Sequence, residues 1–239
     1  MESLLTNRKN IMLHNEENQI LDAEQEWLNY WNHGPTRLRW TELPLQVGDA
    51  VPRITLKNAS GVATDLWDES SDRPTLVIFL RHFGCSCAMD RAERLKSEYP
   101  EYTKHGARVI TVGQGEPERS KSFAIRNSLP CPILCDPTRM AYEAFDLLEG
   151  EPSQVVYGLP DDFLKRDPAT GLNFQKSRVG TPRSVVDSPW QLPGEFIIDK
   201  NGIIRLAYRS QFCADFPDPL VLIAAITTAK WAHKTSIPG

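Results

Sequence analysis

Two stretches, Thr75–Leu80 and Ala107–Val112, are short, apolar and partly β-branched. Such runs predict strands buried on both faces. Between them Ala88, Met89, Ala92 and Leu95 recur at helical spacing, and Lys104-His105-Gly106 reads as the end of that helix. The same reading predicts a helix over Glu116–Asn127 with an acidic first turn, a short strand Ile133–Cys135, and a helix opened by Asp136-Pro137-Thr138 and running to Phe145. Upstream, Ile54–Leu56 and Val62–Thr64 flank an Asn58–Gly61 turn, and Leu66-Trp67 reads as one helical turn. Downstream, Glu195–Ile198 and Ile203–Tyr208 flank Asp199-Lys200-Asn201-Gly202, whose Asn-Gly suits a type I′ hairpin. A last helix, Leu220–Lys230, should turn Leu220, Ile223, Ala224 and Ile226 to the sheet. This alternation predicts an α/β sheet with helices on both faces.

Two segments stand outside that rhythm. Residues 1–15 are polar and expected to fray. Glu16–His33 carries Ile20, Ala23, Trp27, Leu28 and Trp31 near one stripe, and Gly34-Pro35 stops it. A stripe with two Trp must dock on the main domain or on a second copy of the chain. Residues 1–45 are thus expected to form an N-terminal helical extension and 46–239 the main domain. Inside that domain Leu147–Leu192 is long, aperiodic and moderately basic (Lys165, Arg166, Lys176, Arg178, Arg183). Such a loop is either a lid, here expected over the Cys85 end of the sheet, or a solvated insertion.

Composition narrows the classes. The net charge of −4, with signs interspersed, gives no reason to expect nucleic acid or an anionic membrane as partner. The longest apolar runs, Leu76–Leu80 and Leu220–Ile226, are too short to span a bilayer. The first residues lack the apolar core of a signal peptide. Five cysteines, an odd number in a chain of 239 residues, do not read as a disulfide scaffold. The expectation is a reducing, cytoplasmic setting in which thiols are catalytic or inert.

The chemistry concentrates where the Thr75–Leu80 strand becomes a helix. Cys85 and Cys87 sit at that junction, behind Gly84. Unpaired N–H groups and the dipole at a helix start favour thiolate over thiol. Arg81, His82 and Arg91 are close enough in sequence to add positive field. On an ideal helix Cys87 lies roughly 200° from Cys85 and faces elsewhere. Cys85 is therefore the expected nucleophile.

The order of elements resembles the thioredoxin fold, and within it the peroxiredoxin-like (AhpC/TSA) family. The residues that carry the resemblance are Val47-Gly48-Asp49-Ala50-Val51-Pro52, Phe79-Leu80-Arg81-His82-Phe83-Gly84-Cys85, Pro132-Ile133-Leu134-Cys135-Asp136-Pro137 and Phe196-Ile197-Ile198-Asp199-Lys200-Asn201-Gly202. It implies a thioredoxin-like central mixed sheet and a thiol-dependent oxidoreductase without a cofactor. The implied substrate is a small-molecule hydroperoxide or disulfide; some relatives reduce lipid endoperoxides. The implied reductant is a thiol of the thioredoxin, glutaredoxin or glutathione kind, and a homodimer is compatible. Cys85, Cys87 and Arg81 would be catalytic, and His82, Phe83, Gly84 and Pro193 would border the substrate.

The chain departs from the pattern in three places. The family's Pro-x-x-x-Thr/Ser-x-x-Cys loop is absent, with His82 and Ile78 at the hydroxyl and proline positions. The Arg expected three residues before Phe196 is Pro193, which looks thioredoxin-like and implies a cis bond after Leu192. The second thiol is Cys87, one position before the Cys-x-x-Cys place at Ala88. Three redox arrangements stay open: a strained Cys85–Cys87 pair, a one-Cys mechanism, or a distant resolving thiol among Cys131, Cys135 and Cys213, ranked last. Two other classes compete: a soft-metal or thiol-sensing module built from Cys85, Cys87, Cys131 and Cys135, and a redox-inactive scaffold.

Overall fold

The computed structural model describes residues 25–68, 71–157 and 187–231. The start of the expected first helix and the basic residues of the long loop lie outside the described residues. In chain order the elements are helical residues 25–33 (α1), β1 (Thr55–Asn58), β2 (Ala63–Asp65), β3 (Thr75–Phe79), α2 (Ser86–Lys104), β4 (Arg108–Gly113), α3 (Pro117–Arg126), β5 (Ile133–Cys135), α4 (Met140–Ala144), a π-helical turn (Ser153–Tyr157), β6 (Gly194–Ile198), β7 (Ile204–Arg209) and α5 (Pro219–Lys230). The strands form one mixed sheet in the order β2-β1-β5-β4-β3-β6-β7. β3, β4 and β5 run parallel, and β6 lies antiparallel to both β3 and β7.

Every residue of β3 is buried, as its unbroken apolar character requires. Its side chains alternate between two cores. Leu76, Ile78 and Leu80 pack with Ala88, Ala92 and Leu95 of α2, Phe123 of α3, and Leu222, Ile226 and Ala229 of α5. Val77 and Phe79 pack on the other face with Ala141 and Tyr142 of α4, Phe145 and Leu66. Helices on both faces follow from that alternation.

Four local expectations are corrected. Leu66-Trp67 is a bend, with Leu66 buried and its N–H paired to Ile54 O rather than to a helical neighbour. The β6–β7 turn is not type I′: Gly202 adopts φ 79°, but Asn201 is not in the left-handed region. Gly202 N–H instead closes on Asp199 O at 3.0 Å, a turn followed by a left-handed glycine that inserts one extra residue into the hairpin. α5 is rotated from the expected face: Leu222 replaces Leu220, which is 73% exposed. Asp218 and Pro219 set that phase, because Asp218 caps Leu220 N–H at 2.8 Å and makes Leu220 a first-turn residue. The Leu192–Pro193 bond is trans, as are all peptide bonds among the described residues.

The N-terminal segment docks on its own chain. Trp31 stacks on Trp190 with centroids 4.6 Å apart and on Trp27 at 5.6 Å, and Trp190 Nε1 donates to Tyr30 O at 2.8 Å. Further along, Thr36 and Arg37 N–H groups donate to Glu149, and Trp40 Nε1 donates to Asp146 O. The extension therefore rests on both ends of the long loop.

Beneath the helices, Arg91 of α2 pairs with Glu195 of β6 (Nε–Oε1 2.6 Å) and Glu98 (Nη1–Oε2 2.5 Å), with all three side chains nearly buried. Removing one member of such a cluster strands the others. Arg91→Met should cost about 3–5 kcal/mol in urea unfolding, and adding Glu195→Leu should recover part of it. A double variant that is additive would show that the cluster does not act as a unit.

Candidate active site

The turn after β3 is held from three sides. Leu80 N–H extends the parallel ladder to Val112 O at 2.9 Å, and the buried Tyr142 hydroxyl lies 2.6 Å from Leu80 O and 3.0 Å from Val112 O. The Phe83 ring enters a slot at the end of β4, where a Cβ on Gly113 or Gly115 would stand 2.4 Å from it. That close approach is why both positions are glycine. The ring stacks on Phe123 at 4.5 Å. Cys85 N–H closes the turn on His82 O at 3.0 Å, and Cys85 then serves as the N-cap of α2 with extended backbone (φ −85°, ψ 135°). The thiol therefore sits at a helix start, as the sequence predicts.

Arg81 Nη1 lies 3.0 Å from Cys85 Sγ. Its remaining donors are taken by backbone: Nε by Gln191 O at 3.2 Å and Nη2 by Pro189 O. The guanidinium is 3% exposed and has no hydrogen-bonded carboxylate among the described residues. A buried charge needs a counter-charge, and the thiolate of Cys85 is the group in place to supply it. Burial alone would push the Cys85 thiol up; hydrogen bonds from the Cys213 and Cys87 thiols, then the charges of Arg81 and His82, bring it well below its ordinary value. Burial and the neighbouring thiols push Cys87 the other way.

The sulfurs of Cys85, Cys87 and Cys213 all lie within 4.8 Å of one another, and all three residues are buried. This corrects two expectations. Cys87 does not face away: Cys85 is an extended N-cap residue, so the ideal helical rotation between the two does not apply. The four-cysteine metal set does not assemble either. Among the described residues Cys131 and Cys135 lie outside the cluster, and Cys213 takes their place. Arg91 adds little field, because Glu195 and Glu98 neutralise it.

Cys213, ranked last in the sequence reading, arrives through topology. The exit of β3 pairs Phe79 with Gly194, and Gly194 pairs with Arg209 at the end of β7. The chain leaving β7 thus returns to the end of the sheet where β3 releases Cys85. A strand order β3-β6-β7, assumed from the hairpin, would have pointed to it.

The other candidate residues are placed as follows. His82 is half-buried, edge-on to Trp27 at 6.5 Å. Gly84 is half-buried in the turn, and the Phe83 ring fills its glycine slot. Pro193 lines, with Arg81, Arg91, Cys87, Cys213 and Phe216, a narrow cavity of about 10 Å³, room for roughly one water.

Residues 187–192, the return of the long loop, strap the site shut. Asp187 takes a two-pronged pair from Arg119 (2.6 and 2.8 Å) and accepts Phe83 N–H at 3.1 Å. Burial would raise its carboxyl, but Arg119 holds it below the usual range. Ser188 N–H donates to Gln114 Oε1 at 2.9 Å. Asp187, Arg119 and the Pro189 and Gln191 carbonyls had no sequence signal. The loop's end does lie over the Cys85 end of the sheet, as expected of a lid.

A model of the AhpC/TSA family matches residues 47–207. The chain is similar to "Peroxiredoxin Q, chloroplastic" of Gentiana triflora, 26% identical over 167 residues that cover 69% of this chain and 59% of the relative. It is also similar to "Thioredoxin-like protein AAED1, chloroplastic" of Arabidopsis thaliana, 28% identical over 102 residues, 43% of this chain and 40% of the relative. The chain thus spans less than two thirds of the length of these curated relatives. Its fold matches the crystal structure of peroxidoxin BcpB from Mycobacterium tuberculosis with a TM-score of 0.55 at 15% identity, over 77% of this chain and 97% of that one.

Against burial, hydrogen bonds from the Cys213 and Cys87 thiols, and then the Arg81 charge, lower the titration of Cys85. The folded pKa lies below the unfolded value near 8.5. Ionisation therefore stabilises the fold above that pH, and the contribution fades as pH falls through the folded value. Arg81→Met should raise the Cys85 pKa by about 1 unit or more, read as thiolate absorbance at 240 nm against Cys85→Ser. An unmoved titration would assign the shift to the other thiols.

Proposed function

This chain belongs to the AhpC/TSA family, and on that premise we propose that it is a thiol-dependent peroxidase with Cys85 as nucleophile. The observation that carries the reading is the buried Arg81–Cys85 contact. The thiolate attacks the outer oxygen of a hydroperoxide, the O–O bond breaks, and the sulfur takes that oxygen as a sulfenic acid. The peroxide's own proton stays on the sulfenic acid, and the alkoxide or hydroxide takes a proton from solvent and leaves as alcohol or water. A thiol reductant of the thioredoxin, glutaredoxin or glutathione kind returns the sulfur to thiolate.

The departures from the family pattern are consistent with this chemistry. Arg81, from the strand exit, supplies a cation beside the sulfur although Pro193 stands where the family carries Arg. No hydroxyl stands three residues before Cys85, and His82 borders the turn in its place. The three thiols are closed off, so substrate entry needs the 187–192 strap to shift. A bulky lipid peroxide needs a larger shift than hydrogen peroxide does. The five unpaired thiols favour a reducing compartment, of which the cytoplasm is one.

A scaffold without redox activity is the competing reading. It has no use for a buried guanidinium whose counter-charge is a thiol, since apolar residues fill the same volume at less cost. Wild-type protein should reduce hydrogen peroxide or cumene hydroperoxide with dithiothreitol as reductant, and Cys85→Ser should lose the turnover by about 10³-fold or more. A wild-type chain with no turnover and no oxidation of Cys85 would favour the scaffold.

A further inference from the structure

The third thiol has no part in the chemistry above. We propose that Cys213 is the resolving thiol, condensing with the sulfenic acid on Cys85 to give a Cys85–Cys213 disulfide. The inference rests on Cys85 being oxidised first. In the step, the S–O bond of Cys85 breaks and an S–S bond forms. The hydroxyl leaves as water with the Cys213 proton. The thiol reductant then opens the disulfide, restoring both thiols and becoming a disulfide itself.

Proximity admits both partners, because the Cys213 and Cys87 sulfurs each lie within 4.8 Å of Cys85 Sγ. The backbone separates them. Cys87 is in the first turn of α2, and Ala88 and Met89 N–H groups close that turn on Cys85 O. Pulling Cys87 onto Cys85 distorts the turn that positions the nucleophile. Cys213 lies between β7 and α5, in a connection without regular structure. Its N–H makes one long bond to Gln154 O (3.3 Å) and its thiol rests 3.4 Å from Val155 O. Approach by Cys213 gives up its contacts with Gln154 O and Val155 O of the π-helical turn and no bond within α2 or the sheet.

The order of events follows from charge. While Cys85 is a thiolate, the hydrogen bond that Cys213 gives it, together with burial and the anion's charge, keeps the Cys213 thiol protonated, and that pKa is pushed up to about 12. Oxidation of Cys85 to a neutral sulfenic acid removes this anion and leaves the Arg81 cation beside the remaining thiols. Cys213 then ionises more readily, when a nucleophile is needed.

The test is mass spectrometry of the full chain after one equivalent of hydrogen peroxide, quenched with N-ethylmaleimide. Trypsin leaves Cys85 and Cys87 together on peptide 82–91 and Cys213 on 210–230. A cross-link between these peptides in wild type, retained in Cys87→Ser and absent in Cys213→Ser, is the expected result. Cys213→Ser should also accumulate a dimedone-reactive Cys85 and lose steady-state turnover at least about tenfold with a dithiol reductant. Fragmentation of the cross-linked wild-type peptides, placing the bond on Cys85 or on Cys87, stays decisive if a variant fails to fold. A Cys85–Cys87 link within peptide 82–91, or a stable Cys85 sulfenic acid with no link, overturns the role of Cys213 and leaves Cys85 as nucleophile. An unoxidised Cys85 overturns both.

Discussion

A buried guanidinium that has no hydrogen-bonded carboxylate among the described residues organises this site. Among the described residues Arg81 hydrogen-bonds only carbonyl oxygens and one sulfur. Carbonyl dipoles satisfy its donors but do not cancel its charge. Among the described residues the Cys85 sulfur is the group placed to supply the cancelling charge, and its thiol is held well below its ordinary pKa while those of Cys87 and Cys213 are pushed up. Cys85 keeps the charge because it is nearest the cation and at a helix start.

That contact joins two distant parts of the chain. Arg81 belongs to the exit of β3, and the carbonyls that orient it belong to the return of the long loop just before β6. Asp187 makes the same link a second time, from Arg119 of α3 to the backbone of Phe83. The sheet explains why they meet. β6 pairs with β3, so the segment entering β6 crosses the end at which β3 stops. Closure of the site is a product of strand order.

The legible parts of the sequence were the local ones. Buried strands, the thiol at a strand-to-helix junction and Arg81 beside it are written within a few residues, and the AhpC/TSA resemblance rests on four short stretches of which this is one. Cys87 was misplaced because helical rotation was applied to a residue that is only the cap. Cys213 was passed over because its approach depends on three paired strands. The strap was invisible for another reason: Pro189 and Gln191 contribute backbone carbonyls, which any residue type offers. Side-chain letters carry no trace of them.

The indole stack over the site has an optical consequence. Trp190 lies between the two residues whose carbonyls grip Arg81, and its ring continues through Trp31 to Trp27. Trp190 thus rides on the segment that holds Arg81, and Trp31 and Trp27 of α1 stack onto it. Near-ultraviolet dichroism and intrinsic emission of this stack should therefore change wherever oxidation of Cys85 shifts the strap, a readout that needs no added label.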